Sequence, residues 1–252
     1  MMQRDQLASY LHEFLRCAEY SDYAPNGMQV EGRETIKTIC TAVTASHSAV
    51  LEAIKKGADA LLVHHGYFWR GEEACITGIK KKRIGELIRH DLSLFAYHLP
   101  LDCHPELGNN VSLARMLAIE SPKMHAVGKI PNLLWSGRFS KPMEPETLAN
   151  HIQAKLKRAP LLISAGKKEI QNIAWCTGAA QDYIENAYAL GVDAYISGEI
   201  SERTYYQAKE LGLHYFACGH HASERYGIIN LGNHLNEAFG LKHQFIDSEN
   251  PV

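Results

Sequence analysis

The chain has 252 residues, of which 46% are hydrophobic and 21% are charged, a composition typical of folded globular proteins and not of disordered ones. The formal net charge of −2 at pH 7 gives no overall positive field that would recruit nucleic acid or anionic lipid. No apolar run approaches the ~20 residues of a membrane span, and the charged N-terminal residues argue against a signal peptide. We therefore expect a cytoplasmic protein that does not act in a membrane.

Cysteine and histidine usage narrows the possible chemistry. The six cysteines include no C-x-x-C motif, which disfavours a thiolate zinc site or a redox pair. We expect them to be reduced and mostly buried. Histidine is frequent, with 14 residues, and imidazole is both the commonest protein metal ligand and a usual proton carrier. The positions of the histidines are therefore the main clue to function.

The first part of the chain alternates between predicted helices and strands. An amphipathic helix over 4–19 precedes a loop over 21–32 that is rich in Asp, Pro, Asn and Gly. The elements predicted next are a strand over 36–44, a helix over 48–57, strands over 59–63 and 92–98 with a helix over 80–90 between them, and a helix over 110–119 that Asn110 is expected to cap.

The remainder divides into an irregular and a regular part. Residues 121–170 contain several prolines and are expected to form a connecting segment with one helix over about 145–157. The alternating pattern then returns. Strands are predicted over 172–178, 193–197, 213–219 and 242–247, with helices over 181–191 and 201–212 and a long helix after residue 219.

The two regular parts resemble each other at a constant offset of 134 residues. Gly57 matches Gly191, and Asp59 matches Asp193. This similarity predicts a duplicated βαβαβ unit, and hence an α/β fold of two similar lobes with mostly parallel sheets and flanking helices. The expected domains are a first lobe at 1–120, the connecting segment at 121–170 and a second lobe at 171–252, or one intertwined globular unit.

Polar side chains follow the ends of predicted parallel strands. His64 and His65 come after the strand over 59–63, Asp102 after the strand over 92–98, and His220 and Glu224 after the strand over 213–219. The carboxyl ends of parallel strands share one sheet edge, so we expect these five side chains to meet. Imidazoles and carboxylates without thiolates suit Zn, Fe, Mn, Ni or Co and do not choose among them.

The spacing of these residues favours two metal ions over one. Neighbouring side chains on a strand point to opposite faces, so His64 and His65 can each turn toward a different ion. His220 and Glu224 are one helical turn apart and can face one point, and a carboxylate can bridge two ions. Some polar residues close to these clusters in sequence could be structural, orient a ligand or border the site: His98, His104, Glu199, His214 and His221.

Four motifs together resemble one protein family. They are LLVHHGYFW, AYHLPLDCHPELGNN, YISGEIS and ACGHHASER, and the chain is similar over nearly its whole length to the NGG-interacting-factor-three-like family. Bacterial members of this family are often labelled homologues of type 2 GTP cyclohydrolase I. The resemblance implies two related α/β lobes around a dinuclear metal site, and a homohexamer that forms a ring. It also implies metal ligands at His64, His65, Asp102, His220 and Glu224.

The resemblance further implies a hydrolase that uses two divalent metal ions and acts on a purine nucleotide or a related heterocycle. In a cyclohydrolase reaction, water would attack C8 of guanine, the imidazole ring would open and formate would leave, with His98 moving protons. Two alternatives stay open at this point. One is a non-enzymatic protein that uses its metals for structure, metal handling or docking a partner. The other is a factor that handles damaged nucleotides or DNA.

Overall fold

The computed structural model describes residues 1–166 and 169–252. The strands are β1 (Met2–Gln3), β2 (Gly27–Val30), β3 (Thr35–Ile36), β4 (Thr38–Thr44), β5 (Ala60–His65), β6 (Ser93–Ala96), β7 (Glu120–Val127), β8 (Ile130–Met143), β9 (Leu161–Ile163), β10 (Ile170–Trp175), β11 (Ala194–Ser197), β12 (His214–Ala217) and β13 (Lys242–Phe245). The α-helices are α1 (Arg4–Phe14), α2 (His47–Lys55), α3 (Gly78–Arg89), α4 (Leu99–Asp102), α5 (Asn109–Met116), α6 (Pro145–Leu156), α7 (Ile184–Ala189), α8 (Glu202–Leu211) and α9 (His220–Phe239). Short 3-10 helices cover Cys17–Glu19 and Gln181–Tyr183.

These elements form two units with mixed α/β structure. Unit 1 comprises Met1–Leu101 and Gly227–Glu249, and unit 2 comprises Asp102–Tyr226 and Asn250–Val252. Within the described residues, no helix combines the length and the apolar character needed to cross a bilayer.

Unit 1 is built on a five-stranded sheet with the order β13-β4-β5-β6-β2. The first four strands are mutually parallel, and the edge strand β2 is antiparallel to β6. The first five residues of β5 are buried, as expected for a parallel strand with both faces covered. Helix α2 begins where the side chain of Ser46 accepts a hydrogen bond from the backbone N–H of Ala49 at 3.1 Å, and its buried residues join the core.

Unit 2 is built on a six-stranded sheet with the order β7-β8-β10-β11-β12-β9. Strands β10, β11 and β12 are parallel, whereas β7, β8 and β9 pair antiparallel with their neighbours. The core on this sheet includes Trp135 and Trp175, whose ring centroids are 6.0 Å apart. The expectation of mostly parallel sheets therefore fits unit 1, but the sheet of unit 2 is mixed.

The antiparallel pair β7–β8 is the main departure from the predicted secondary structure. The prolines suggested an irregular segment, yet residues 120–143 are almost entirely extended strand. Pro122 lies on β7, an edge strand, and Pro131 lies near the start of β8. At both positions the missing N–H costs little, so these prolines do not break the sheet.

A second departure concerns Asn110, which was expected to cap a helix. Helix α5 begins after Gly108 and has no side-chain cap. The side-chain amide of Asn110 instead donates to the carbonyl oxygens of Asp102 at 3.2 Å and Leu133 at 3.3 Å. Asn110 therefore fixes the backbone at a predicted metal ligand.

Candidate metal-binding residues

Three histidines of unit 1 gather at the ends of two adjacent parallel strands. His64 and His65 are the last residues of β5, and His98 lies two residues after β6. Each of the three offers a ring nitrogen within 4.8 Å of the others. The arrangement follows from the strand register, which pairs Val63 with Ala96 and so brings both chain ends to one edge. Three imidazoles at this spacing could hold a metal ion.

Neighbouring groups fix the ring orientations of two of these histidines. Nδ1 of His64, which is fully buried, lies 2.9 Å from the carbonyl oxygen of Tyr97. Because a carbonyl only accepts, Nδ1 of His64 carries a proton, and Nε2 is the ring nitrogen that could bind a metal ion. Nδ1 of His65 lies 3.2 Å from the hydroxyl oxygen of Thr44.

Asp22 orients His98, and sequence reasoning missed it. Its Oδ1 lies 2.7 Å from Nδ1 of His98, while Oδ2 accepts from the backbone N–H of Leu99 at 2.9 Å and the side-chain amide of Asn26 at 2.8 Å. Burial opposes the charge of Asp22, but its contacts with His98 and Asn26 outweigh burial and lower its pKa. The carboxylate thus holds the Nδ1 proton of His98 and leaves Nε2 as the reactive nitrogen.

Asp102, the first residue of unit 2, is held in a buried network. It is 5% exposed. Its Oδ1 accepts hydrogen bonds from the amide of Asn109 at 2.8 Å and from the hydroxyl of Thr177 at 3.4 Å. The backbone N–H of Thr177 donates to the side-chain oxygen of Asn110 at 3.1 Å. A buried carboxylate with this support has little freedom to move, as a metal ligand requires.

His220 and Glu224 face each other in the first turns of α9. Nε2 of His220 lies 3.0 Å from Oε2 of Glu224, which is 2% exposed, and Nδ1 of His220 lies 2.7 Å from Oε1 of Glu199. Burial would lower the pKa of His220, but the two carboxylates outweigh burial and raise it from 6.5 to about 9. A metal ion that binds here must therefore displace a proton below that pH.

Two glycines make room for this pair. A Cβ at Gly178 would overlap Oε1 of Glu224 and would lie 3.3 Å from Nε2 of His220. A Cβ at Gly198 would lie 2.8 Å from the Cα of His220 and 2.7 Å from the carbonyl oxygen of Gly178. Both turns must approach the start of α9 closely, which only glycine permits here. The sequence shows a glycine at residue 178, but sequence spacing does not reveal that Glu224 is the residue that needs this space.

The other histidines close to the clusters have structural contacts. Nδ1 of His104 accepts from the backbone N–H groups of Glu106 and Leu107, both at 3.3 Å. Nδ1 of His214 accepts from the backbone N–H of Ala165 at 3.1 Å. His221 is 6% exposed, and its backbone N–H donates to the carbonyl oxygen of Val252 at 3.0 Å. Glu199, which the sequence suggested only as a bordering residue, contacts His220 directly.

Burial disfavours ligand or nucleophile chemistry at Cys176 and Cys218, the two cysteines that lie near strand ends. Among the described residues no cysteine takes part in a disulfide, and Cys75 is exposed whereas the other five are buried. Burial raises the pKa of Cys218 to about 12 and raises that of Cys176 well above its usual value. A thiolate at either position is therefore disfavoured at neutral pH.

Comparison with known proteins places the chain in a family. Residues 2–251 match the family Duf34/NIF3 (NGG1p interacting factor 3). A Vibrio cholerae protein named GTP cyclohydrolase 1 type 2 homolog is 50% identical over 253 residues, and an Escherichia coli K12 protein of the same name is 47% identical over 252 residues; in both comparisons 100% of each chain is covered. A solved structure described as "protein ybgI, unknown function" has a TM-score of 0.95 at 46% identity and covers 100% of both chains. The chain therefore belongs to the Duf34/NIF3 family.

Proposed function

We propose that this protein is a hydrolase that uses two divalent metal ions and acts on a purine nucleotide or a related heterocycle. In this proposal the metal ligands are His64, His65, Asp102, His220 and Glu224. His64 and His65 belong to unit 1, whereas Asp102, His220 and Glu224 belong to unit 2. Nitrogen and oxygen donors of this kind fit Zn, Fe, Mn, Ni or Co.

The observation that carries the proposal is the orientation of the donors by their neighbours. Nδ1 of His64 is occupied by the carbonyl of Tyr97, and Nδ1 of His220 is occupied by the carboxylate of Glu199. Metal-binding histidines commonly use one ring nitrogen for the ion and the other for such a partner. His64 lies at the carboxyl end of β5 in unit 1 and His220 follows β12 in unit 2, and such strand ends are where α/β proteins place their sites.

The residues around these donors supply the remaining chemistry. Bound divalent ions would lower the pKa of water and polarise an oxygen or nitrogen of the substrate. We assign Nε2 of His98 the transfer of a proton to or from the substrate. Asp22 keeps the proton of His98 on Nδ1 and so maintains Nε2 in the state that accepts a proton. His98 would then act as the general base and Asp22 as its positioning residue.

The relatives support the substrate class. Their shared name, GTP cyclohydrolase 1 type 2 homolog, points to a guanine nucleotide, whose imidazole ring would be opened by hydrolysis with loss of formate. The six cysteines, which form no disulfide among the described residues, support a reducing, cytoplasmic environment. The family resemblance supports a ring-shaped homohexamer.

A matching backbone pattern supports the proposal that the two units arose by duplication. In unit 1 the carboxylate of Asp59 accepts from the backbone N–H groups of residues 37–38 at 2.8 and 2.9 Å. In unit 2 the carboxylate of Asp193 accepts from those of residues 171–172 at 3.1 and 2.8 Å. Each aspartate thereby joins the starts of two neighbouring parallel strands. Both contacts recur at the offset of 134 residues found in the sequence.

Metal content tests the ligand assignment. Wild-type protein is loaded with each candidate metal, dialysed against metal-free buffer and analysed for elements. We expect about two ions per chain, and well below one for Glu224→Ala, because a bridging carboxylate supports both ions. His221→Ala serves as the neighbouring control and should retain its metal, whereas His220→Ala should not. Full occupancy in Glu224→Ala, or equal losses in His221→Ala and His220→Ala, would contradict the assignment.

Activity is measured separately on the same preparations. GTP, GMP and other purine nucleotides are incubated with each metal form, and formate release is followed. We expect formate release only in a loaded form, and no release with Glu224→Ala. A fully loaded protein that hydrolyses none of these compounds would support the non-enzymatic alternative.

A further inference from the structure

Aromatic side chains border the histidines of unit 1 on the side of residues 66–72. The indole ring of Trp69 has its centroid 5.0 Å from that of His98 and 5.9 Å from that of His65. The phenol ring of Tyr23 lies 6.4 Å from His98 in an edge-on arrangement. Tyr23 is 47% exposed. An apolar surface therefore stands beside groups that we assign to chemistry.

Trp69 is held in a defined position although it is not buried in a core. Its indole N–H donates to the carbonyl oxygen of Gly66 at 3.2 Å, and its backbone N–H donates to a carboxylate oxygen of Glu72 at 3.0 Å. The other two tryptophans, Trp135 and Trp175, are 3% and 0% exposed and belong to the core of unit 2. Core packing therefore accounts for two of the three tryptophans but not for Trp69, which keeps part of its surface in contact with solvent.

Arg70 adds a positive charge to the same surface. Its backbone N–H donates to the carbonyl oxygen of Tyr23 at 2.7 Å, and its Nη2 donates to the carbonyl oxygen of Asp22 at 3.1 Å. Its guanidinium carbon lies 6.0 Å from the centre of the Tyr23 ring. These contacts fix the guanidinium next to an aromatic ring and leave further N–H donors for a ligand.

The charge of Arg70 is not compensated by neighbouring acids. The carboxylate of Asp22 is engaged by His98, and that of Glu72 lies 3.4 Å from the ammonium group of Lys80. In residues 1–166 and 169–252, Arg70 takes part in no ion pair. This surface is thus apolar and cationic, which suits a flat ligand with a negative group.

We propose that Trp69, Tyr23 and Arg70 form the binding subsite for one nucleotide, whose base stacks on the aromatic rings and whose phosphate binds the guanidinium. The inference rests on the proposed function, because it supplies the substrate contacts of that same site. Stacking recognises the flat face of a base, and a guanidinium binds phosphate oxygens through paired N–H donors. The position of Trp69 and Tyr23 around His98 would bring the heterocycle to the proton carrier.

Calorimetric titration with fragments of one ligand separates the two contacts. Metal-loaded and metal-free protein are titrated with GMP, with guanosine, which lacks the phosphate, and with ribose 5-phosphate, which lacks the base. We expect GMP to bind more tightly than either fragment. Trp69→Ala should weaken the binding of GMP and guanosine at least ~10-fold and leave the affinity for ribose 5-phosphate unchanged. Trp69→Phe should keep most of the affinity for GMP and guanosine. Arg70→Gln should reduce GMP affinity to about that of guanosine.

Matched variants in unit 2 control for general effects of these substitutions. Tyr205 is 44% exposed, close to the value for Tyr23, so Tyr205→Ala should leave GMP affinity unchanged while Tyr23→Ala lowers it. Arg203 is an exposed arginine on α8, and Arg203→Gln should likewise have no effect. Wild-type affinity for GMP in both Trp69→Ala and Arg70→Gln would overturn the inference.

The outcomes also separate this inference from the proposed function. Protein that is fully metal-loaded but binds no GMP would overturn the nucleotide subsite and leave the metal assignment intact. Protein that binds GMP through Trp69 and Arg70 but retains no metal would support the subsite and contradict the metal-dependent hydrolase. Binding of a single-stranded oligonucleotide more tightly than GMP, with a steep salt dependence, would overturn the assignment to a single nucleotide.

Discussion

The side chain of Glu224 occupies the space that a methyl group on Gly178 would need. A Cβ at residue 178 would overlap Oε1 of Glu224 and would lie 3.1 Å from its Cδ. Gly178 also has φ +74°, a backbone conformation that residues other than glycine rarely adopt. The turn after β10 therefore sets the position of a carboxylate that lies 46 residues further along the chain.

Gly178→Ala should displace Glu224 and weaken metal binding at least ~10-fold, as changes next to a ligand commonly do. Gly191→Ala is the matched control, because Gly191 has φ +69° but no atom within 4 Å of an added Cβ. Both variants should lose roughly 1–2 kcal/mol of unfolding free energy from the strained backbone. Elemental analysis and urea unfolding measure the two effects. Equal metal content in the two variants would show that the position of Glu224 is not critical.

Asp22→Asn should slow catalysis without removing metal. Loss of the carboxylate releases the Nδ1 proton of His98 from its fixed partner, so turnover should fall at least ~10-fold while metal content stays at the wild-type level. In proton NMR spectra, the protected Nδ1–H resonance of His98 should disappear. Asp5, an exposed residue that pairs with Arg4, provides the control, and Asp5→Asn should change none of these quantities. Unchanged turnover in Asp22→Asn would remove Asp22 from the mechanism.

Tyr97→Phe should stabilise the protein, in contrast to most substitutions in a core. Tyr97 is fully buried, and its hydroxyl has no hydrogen-bond partner among the described residues. Removing a buried hydroxyl without a partner should raise the unfolding free energy by about 1 kcal/mol. Tyr67 is 4% exposed but donates to the carbonyl oxygen of Ala45 at 2.8 Å, so Tyr67→Phe should lower the free energy by about as much. Urea unfolding of both variants tests the opposite signs.

His243 should make the stability of unit 1 fall in mild acid. Its Nδ1 lies 3.0 Å from the side-chain oxygen of Asn233 and its Nε2 lies 2.8 Å from the hydroxyl of Thr41, and burial lowers its pKa below 6.5. The unfolded chain therefore binds more protons than the folded one between the lowered pKa and 6.5. The contribution of neutral His243 to the unfolding free energy should be fully present above pH 6.5, and it should decrease as the pH falls below that value.

The pH dependence is measured from urea midpoints between pH 7.5 and 5. His243→Gln should make the midpoint less sensitive to pH in this interval, because the glutamine does not titrate. His12, which is exposed on α1, provides the control, and His12→Gln should leave the dependence as in the wild type. Identical slopes for wild type and His243→Gln would show that other groups govern the acid response.

Elements with a strong periodic pattern were predictable from the sequence. Helix α2 and strand β5 lie within two residues of their predicted bounds, because a buried apolar run and a glycine after the helix mark them clearly. Strand β7 was not predicted because six of its eight residues are exposed, so it shows neither alternation nor a buried run. Its stability comes from the long pairing with β8, which the sequence pattern does not reveal.

The candidate site divides in the same way. His64 and His65 follow a recognisable strand, so their place at a sheet edge was predictable. Asp22 lies 76 residues before His98, in a loop whose composition indicates only turns, so nothing local reveals the contact. The family resemblance indicates which residues would bind metal, but the groups that orient these residues depend on long-range packing.

The uneven burial of the thiols gives this chain a natural attachment point for reporter groups. Cys75 is exposed whereas the other five cysteines are buried, and maleimides react with a thiolate that solvent can reach. A dye should therefore couple at Cys75 first, without any engineered cysteine. The five buried thiols can react only after local unfolding exposes them, so the rate of this further coupling would report the rate of local unfolding. Comparing this coupling rate in metal-loaded and metal-free protein would show how strongly bound ions stabilise the fold against local unfolding.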